Sequence, residues 1–216
     1  MKFQRIKTWR LYVITDRNIS GRSYPEAARV AIEGGADVIQ LRDKDASSSD
    51  LYRSAREIRR MTREAGVDFI VNDRLDIAQA VEADGVHLGQ DDLPVRVARE
   101  ILGSEMIIGG SVRFPDEAVQ MEKDGADYLG IGPVFEARST KPDTIAPQGL
   151  ELIRDVKQKA ALPVVAIGGI GFDNVGDIFH AGAECAAVIS AIMGADDITE
   201  ATRRMKTRIR SQREEG

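Results

Sequence analysis

Four segments of the chain share one design: GGADVIQL at 34–41, EADGVHLG at 82–89, DGADYLGI at 124–131 and AGAECAAV at 181–188. Each places a helix-ending Gly or Asp-Gly just before a short β-rich run. Four further apolar runs interleave with them, so strands are expected at 11–15, 38–41, 69–71, 86–88, 106–109, 128–131, 164–167 and 186–189. The repeats coincide with the second, fourth, sixth and eighth of these. Helical spacing fills the gaps, as in PEAARVAIEGG after Ser23, with Ser23 as a cap and Pro25 in the first turn, and in LYRSAREIRRMTREAG after Ser49. A twofold rhythm in a strand–helix alternation suits a closed barrel assembled from quarter-barrel units, whereas an open doubly wound sheet has no reason for it. The expected fold is therefore α/β, a single (β/α)8 TIM barrel. An open Rossmann-like sheet is the alternative, weakened by the absence of G-x-G-x-x-G after the first strand.

The 216 residues, 43% hydrophobic and 30% charged, fit one soluble domain spanning 1–216, short for a barrel but long enough. No Pro/Ser/Gly-rich linker divides it. Residues 1–10 read as a leading segment and about 205–216 as a C-terminal helix that frays. With 35 acidic residues against 30 basic ones, the chain lacks the basic excess of a nucleic-acid binder. MKFQRIKTWR followed by LYVIT is too poor in apolar residues for a signal peptide or membrane span, so a cytoplasmic protein is expected. Cys185 is the single cysteine, which excludes an internal disulfide and a multi-thiolate metal site; beside Ala186 and Ala187 it reads as a buried small side chain.

In a barrel the C-terminal ends of the strands converge on one mouth. The sequence loads those ends with polar residues: Arg42, Asp43 and Lys44; Asn72, Asp73 and Arg74; Gln90, Asp91 and Asp92; Ser111 and Arg113; and, in the long loop after the sixth strand, Arg138, Ser139, Thr140 and Lys141. The seventh strand runs straight into Gly168-Gly169-Ile170-Gly171, and only glycine lets backbone N–H groups approach a phosphate closely. Ser190, after the eighth strand, adds a hydroxyl and an N–H beside this cradle, completing the usual barrel phosphate site, with a helix expected to start near Asp173. A tight turn needing positive φ is the plainer reading of the glycines. On the other side of the mouth, Asp73 and Asp92 are hard oxygen ligands of the kind that hold Mg2+. Arg42, Lys44 and Lys141 are cations suited to the charge on a leaving diphosphate. The plainer reading here is an Asp–Arg lattice closing the barrel top. His87, inside VHL, reads as a packed barrel residue or a site wall, and His180 as structural. Together these residues describe a transferase that joins a phosphate-bearing acceptor to a diphosphate-bearing donor, without a covalent nucleophile.

The stretches LYVITDR, GADVIQLRDK, VNDRLDIAQAVEADGVHLGQDDLP, IIGGSV, ADYLGIGPVF, TKPD, PVVAIGGI and AAVISAI resemble the thiamine-phosphate synthase family over about Leu11 to Ile192. The resemblance implies coupling of 4-amino-2-methyl-5-(diphosphomethyl)pyrimidine with a thiazole ethyl phosphate, giving thiamine phosphate and diphosphate. It implies that Gln40, Arg42, Lys44, Asn72, Ser111 and Lys141 hold the pyrimidine diphosphate and that Asp73 and Asp92 bind Mg2+. Gly169, Ile189 and Ser190, next to Gly168 and helped by Arg138, Ser139 and Thr140, would hold the thiazole phosphate. Small-molecule partners are implied, with homo-oligomer formation left open. Two departures stand out. Ser111-Val112-Arg113 replaces the family's Ser-x-His, and the Phe135–Lys141 loop is one residue longer than usual and lacks its first Thr.

Three rivals remain: a thiazole tautomerase of the same superfamily, which has no need of metal carboxylates; a phosphosugar isomerase-type barrel working by an acid–base pair; and a non-catalytic phosphate-binding barrel.

Overall fold

Eight parallel strands close in sequence order: β1 (Leu11–Ile14), β2 (Val38–Leu41), β3 (Asp68–Asn72), β4 (Gly85–Leu88), β5 (Ile107–Val112), β6 (Tyr128–Ile131), β7 (Val164–Ile167) and β8 (Cys185–Val188), which pairs back onto β1. This is the (β/α)8 barrel that the repeat predicts, seen in a computed structural model that describes residues 2–136 and 146–214. Helices α1 (Lys2–Ile6), α2 (Arg17–Ser20), α3 (Tyr24–Glu33), α4 (Ser48–Ala65), α5 (Leu75–Ala80), α6 (Val95–Leu102), α7 (Pro115–Lys123), α8 (Gly149–Lys159), α9 (Val175–His180), α10 (Ser190–Met193) and α11 (Ile198–Glu214) precede, connect and follow the strands. Ser23 caps α3 by accepting the N–H of Glu26, as expected. For α4 the cap is Ser47, two residues before Ser49, because Asp50 lies three residues on and its N–H reaches Ser47 Oγ at 3.1 Å. Such a cap stabilises a helix by about 1 kcal/mol.

Strand alternation divides the apolar residues into two cores. Leu11, Val13, Ile39, Leu41, Phe69 and Val71 face outward onto the helices. Tyr12, Ile14, Val38, Ile70, Ile107 and Tyr128 fill the interior, with Trp9 and Ile6 packed among them. Burial on both faces is why each strand reads as an unbroken apolar run. Trp9 Nε1 donates to buried Asp68 at 2.6 Å, which satisfies the indole and anchors the leading segment.

The acid of each repeat has a common task at the N-terminal end of the barrel. Asp37 accepts the N–H of Leu11 in β1, Asp84 that of Phe69 in β3, Asp127 that of Ile108 in β5 and Glu184 that of Val164 in β7, at 2.7–2.9 Å. Each acid also pairs with a cation on a helix: Asp37 with Lys206, Asp84 with Arg59, Asp127 with Arg99 and Glu184 with Lys157. Three of the four repeats turn into the strand through a left-handed glycine, Gly35, Gly125 or Gly182; the remaining one carries Glu82 there at φ 54°.

One expectation is corrected. The Met106–Gly109 run extends as β5 to Val112, because Gly109 faces the interior where the Tyr128 ring occupies the space a Cβ would need. The C-terminal helix α11 runs to Glu214, with Met205 and Ile209 fully buried where it packs on α3 and α9.

Candidate active site

A cavity of about 470 Å3 opens at the C-terminal mouth. Gln40, Arg42 and Lys44 from β2, Asn72 and Asp73 from β3, Asp92 from the β4 loop, and Ser111 from β5 all line it. Gly168 and Ile189 close the far wall. Gly169 and Ser190 do not line the cavity. Gly169 packs against the carbonyls of Phe135 and Glu136, and Ser190 opens α10. Arg138, Ser139, Thr140 and Lys141 lie outside the described residues.

On the β3–β4 side the two carboxylates meet. Asp73 sits at φ 62°, an uncommon conformation for a residue with a side chain, held because its N–H donates to the His87 carbonyl at 2.9 Å. Its carboxyl hydrogen-bonds Asp92, whose Oδ2 in turn accepts the Gly89 N–H at 2.6 Å. Burial, together with the hydrogen bond to Asp92 and its charge, pushes Asp73 up to about 6 against the pull of Lys44, 3.5 Å away. A carboxyl that holds its proton more tightly because it is half-buried against a second carboxylate can exchange that proton for a divalent cation. No set of three or more His, Cys, Asp or Glu gathers among the described residues. Of the neighbouring cations, Arg42 is half-buried with no carboxylate partner among the described residues.

On the opposite side, Gly168 (φ 97°) and Gly169 (φ 66°) turn the chain directly after β7. Asn174 braces the turn: it accepts the Gly171 N–H at 2.8 Å and donates to the Gly169 carbonyl at 2.9 Å. The N–H groups of Gly169, Ile170 and Ser190 have no hydrogen-bond partner among the described residues, so this edge offers donors without a charged side chain. The helix expected near Asp173 starts as α9 at Val175.

The interior floor holds two tyrosines that the sequence alone does not single out. Tyr12 and Tyr128 line the cavity from below, and Gln40 donates to the Tyr12 hydroxyl at 2.7 Å. His87 is both packed and a site wall, bonded through its two ring nitrogens to Tyr128 and Ser111; burial holds its pKa down at about 4, so the imidazole is neutral. The only sequence trace of this floor is a pair of in-strand glycines. A Cβ at Gly109 would strike the Tyr128 ring, and one at Gly130 the His87 ring. A second cavity, of about 490 Å3, lies outside the barrel between Phe172 and α11 and contains none of the strand-end residues.

Comparison with known proteins gives the family. Residues 11–192 match the family model described as thiamine monophosphate synthase. The thiamine-phosphate synthases of Chloroflexus aurantiacus (50% identical, 95% of each chain covered) and Moorella thermoacetica (51% identical, 92% of this chain and 94% of that one) are similar along nearly their whole lengths. Among solved structures, a thiamine phosphate pyrophosphorylase from Pyrococcus furiosus superposes with a TM-score of 0.88 at 43% identity, covering 97% of this chain and 98% of that one. No helix among the described residues is long and apolar enough to cross a membrane. With a closed barrel, an acidic and cationic mouth, and half-identical relatives over nearly its full length, the chain belongs to the thiamine monophosphate synthase family.

Proposed function

We propose that the protein couples 4-amino-2-methyl-5-(diphosphomethyl)pyrimidine with 4-methyl-5-(2-phosphoethyl)thiazole, or its carboxylated tautomer, in a Mg2+-dependent reaction that yields thiamine phosphate and diphosphate. The carrying observation is the Asp73–Asp92 pair beside Lys44, in one cavity with Gln40, Arg42, Asn72 and Ser111. A thiazole tautomerase has no use for that pair.

Asp73 and Asp92 would hold Mg2+, which when bound offsets negative charge on the diphosphate oxygens. Arg42 and Lys44, joined on sequence grounds by Lys141, bind the same diphosphate and stabilise it as the bond from the pyrimidine methylene carbon to oxygen breaks. Gln40, whose amide is held by Tyr12, orients the aminopyrimidine, the ring that takes up the positive charge. The thiazole nitrogen then forms the new bond to the methylene carbon. Its phosphate is met by Gly168 and Ile189 in the cavity wall and by the adjoining Gly169, Ile170 and Ser190, whose N–H groups have no partner among the described residues, with Arg138, Ser139 and Thr140 joining them on sequence grounds. No covalent nucleophile is needed, because the reaction is carried by positioning and charge.

The test is diphosphate release by the purified protein with both substrates and Mg2+, then with EDTA, and with each substrate omitted. Release that needs all three components supports the reading. Binding or an absorbance change of the thiazole phosphate without diphosphate release would move the protein to the tautomerase.

A further inference from the structure

Five side chains cross the barrel interior in one unbroken hydrogen-bonded line. Gln40 Nε2 meets the Tyr12 hydroxyl at 2.7 Å, Tyr12 meets the Tyr128 hydroxyl at 3.1 Å, Tyr128 meets His87 Nδ1 at 3.0 Å, and His87 Nε2 meets Ser111 Oγ at 3.0 Å. The line begins and ends at the cavity, and the two tyrosines at its middle are buried, each 1% exposed. Its rings are seated with little freedom, because Gly109 leaves room for Tyr128, Gly130 leaves room for His87, and the His87 and Tyr128 rings stack at 5.5 Å.

Donor and acceptor capacity gives the line a direction. An amide nitrogen only donates, so the Tyr12 oxygen accepts from Gln40; Tyr12 is buried and the Tyr128 oxygen is the one acceptor within its reach among the described residues, so the Tyr12 proton passes there rather than being left unpaired. The Tyr128 proton then goes to His87 Nδ1, which therefore carries none. The ring proton sits on Nε2 and is given to Ser111 Oγ. Ser111 has accepted, and its own hydroxyl proton is left for the cavity. We propose that Tyr12, Tyr128 and His87 are positioning residues that keep the Ser111 hydroxyl turned outward as a donor to an anionic oxygen of the bound diphosphate. The opposite direction would turn the Ser111 proton onto His87 and face its lone pairs toward the anion, which repels instead of binding. The destination of the proton rests on the proposed coupling reaction; the direction of the line does not.

The chain has two histidines, His87 and exposed His180, so 15N-histidine labelling gives two imidazoles, and His180→Gln assigns them. The wild type is expected to show His87 protonated on Nε2 alone. Tyr128→Phe keeps the ring but removes the hydroxyl, so His87 should become a mixture of tautomers. Affinity for inorganic diphosphate with Mg2+, by calorimetry, should then fall about tenfold, the size of one lost hydrogen bond to a charged group. Turnover should fall by a similar factor, with a smaller change in KM. Tyr12→Phe breaks the line one link earlier and serves if Tyr128→Phe does not fold. An Nδ1-protonated His87 in the wild type overturns the proposal. So does an unchanged tautomer in both variants together with unchanged diphosphate affinity. The expected tautomers and diphosphate binding in a protein that never releases diphosphate from its substrates would refute the coupling reaction and leave the hydrogen-bonded line standing.

Discussion

The two ends of the barrel use carboxylates in opposite ways. At the N-terminal end Asp37, Asp84, Asp127 and Glu184 each accept a strand N–H and face a helix cation, four copies of one structural joint. At the C-terminal mouth nothing repeats. Asp73 sits at a positive φ facing another carboxylate, Asp92, and its acidity is weakened first by burial and then by that neighbour. Charges that are compensated stabilise a fold, whereas charges set against each other store binding capacity for a ligand that relieves them. Stability is thus concentrated below and chemistry above, the division of labour of this architecture.

The largest effect that would sharpen this contrast is expected for Asp92→Ala. Loss of half the acidic pair should lower Mg2+-dependent diphosphate release on the order of a thousandfold while thermal unfolding stays close to wild type. Full activity in that variant would take Asp92 out of the metal site. The complementary change below, Asp84→Ala, should do the reverse. It strands half-buried Arg59 and the Phe69 N–H, so denaturant unfolding should show a loss of about 3 kcal/mol, with kcat little changed in the fraction that stays folded. A variant of unchanged stability would show that the four joints are not equivalent.

Next comes pH. The folded value of Asp73, about 6, lies above its ordinary value of 3.8. Between those values the folded protein holds a proton that the unfolded chain releases, so this carboxyl favours the metal-free fold at low pH and loses that contribution as pH rises through about 6. A cation must displace the same proton. Calorimetric Mg2+ affinity is therefore expected to rise from about pH 5 to about pH 7 and then level off, and Asp73→Asn should flatten the dependence along with weakening binding. The smallest effect belongs to Glu82, the exposed residue that holds a left-handed turn where three repeats use glycine. Glu82→Gly should gain about 0.5 kcal/mol, the left-handed penalty reduced by the greater freedom of glycine in the unfolded chain and by the surface pair with Arg63. Destabilisation instead would mean that the pair outweighs the backbone.

Much of the barrel was legible in the sequence because its rules are local. Apolar runs, the Ser23 cap and the glycines before strands each act within a few residues, and the strand boundaries they suggest fall close to those observed. Polar residues at strand ends were legible for a related reason: once the strands are in register, their ends share a mouth. The errors have tertiary causes. Gly109 and Gly110 look like the end of a strand until the Tyr128 ring is seen against Gly109. The anchoring of the basic C-terminal helix also escapes a local reading, since Met205 and Ile209 are buried only where α11 packs on α3 and α9. Tyr12 and Tyr128 lie within apolar strand runs, and their hydroxyls reach partners 28 and 116 residues away in the chain.

By itself, then, the sequence determined the strand–helix alternation, the closed barrel and the polar groups delivered to its mouth, since periodicity and chain direction are properties of neighbouring residues. Only the tertiary structure decided that Asp73 is set against Asp92, that the repeated acids staple odd strands to helices, and that a hydrogen-bonded line runs from Gln40 to Ser111. Each of those depends on distances of about 3 Å between segments remote in sequence, which exist only once the barrel has closed.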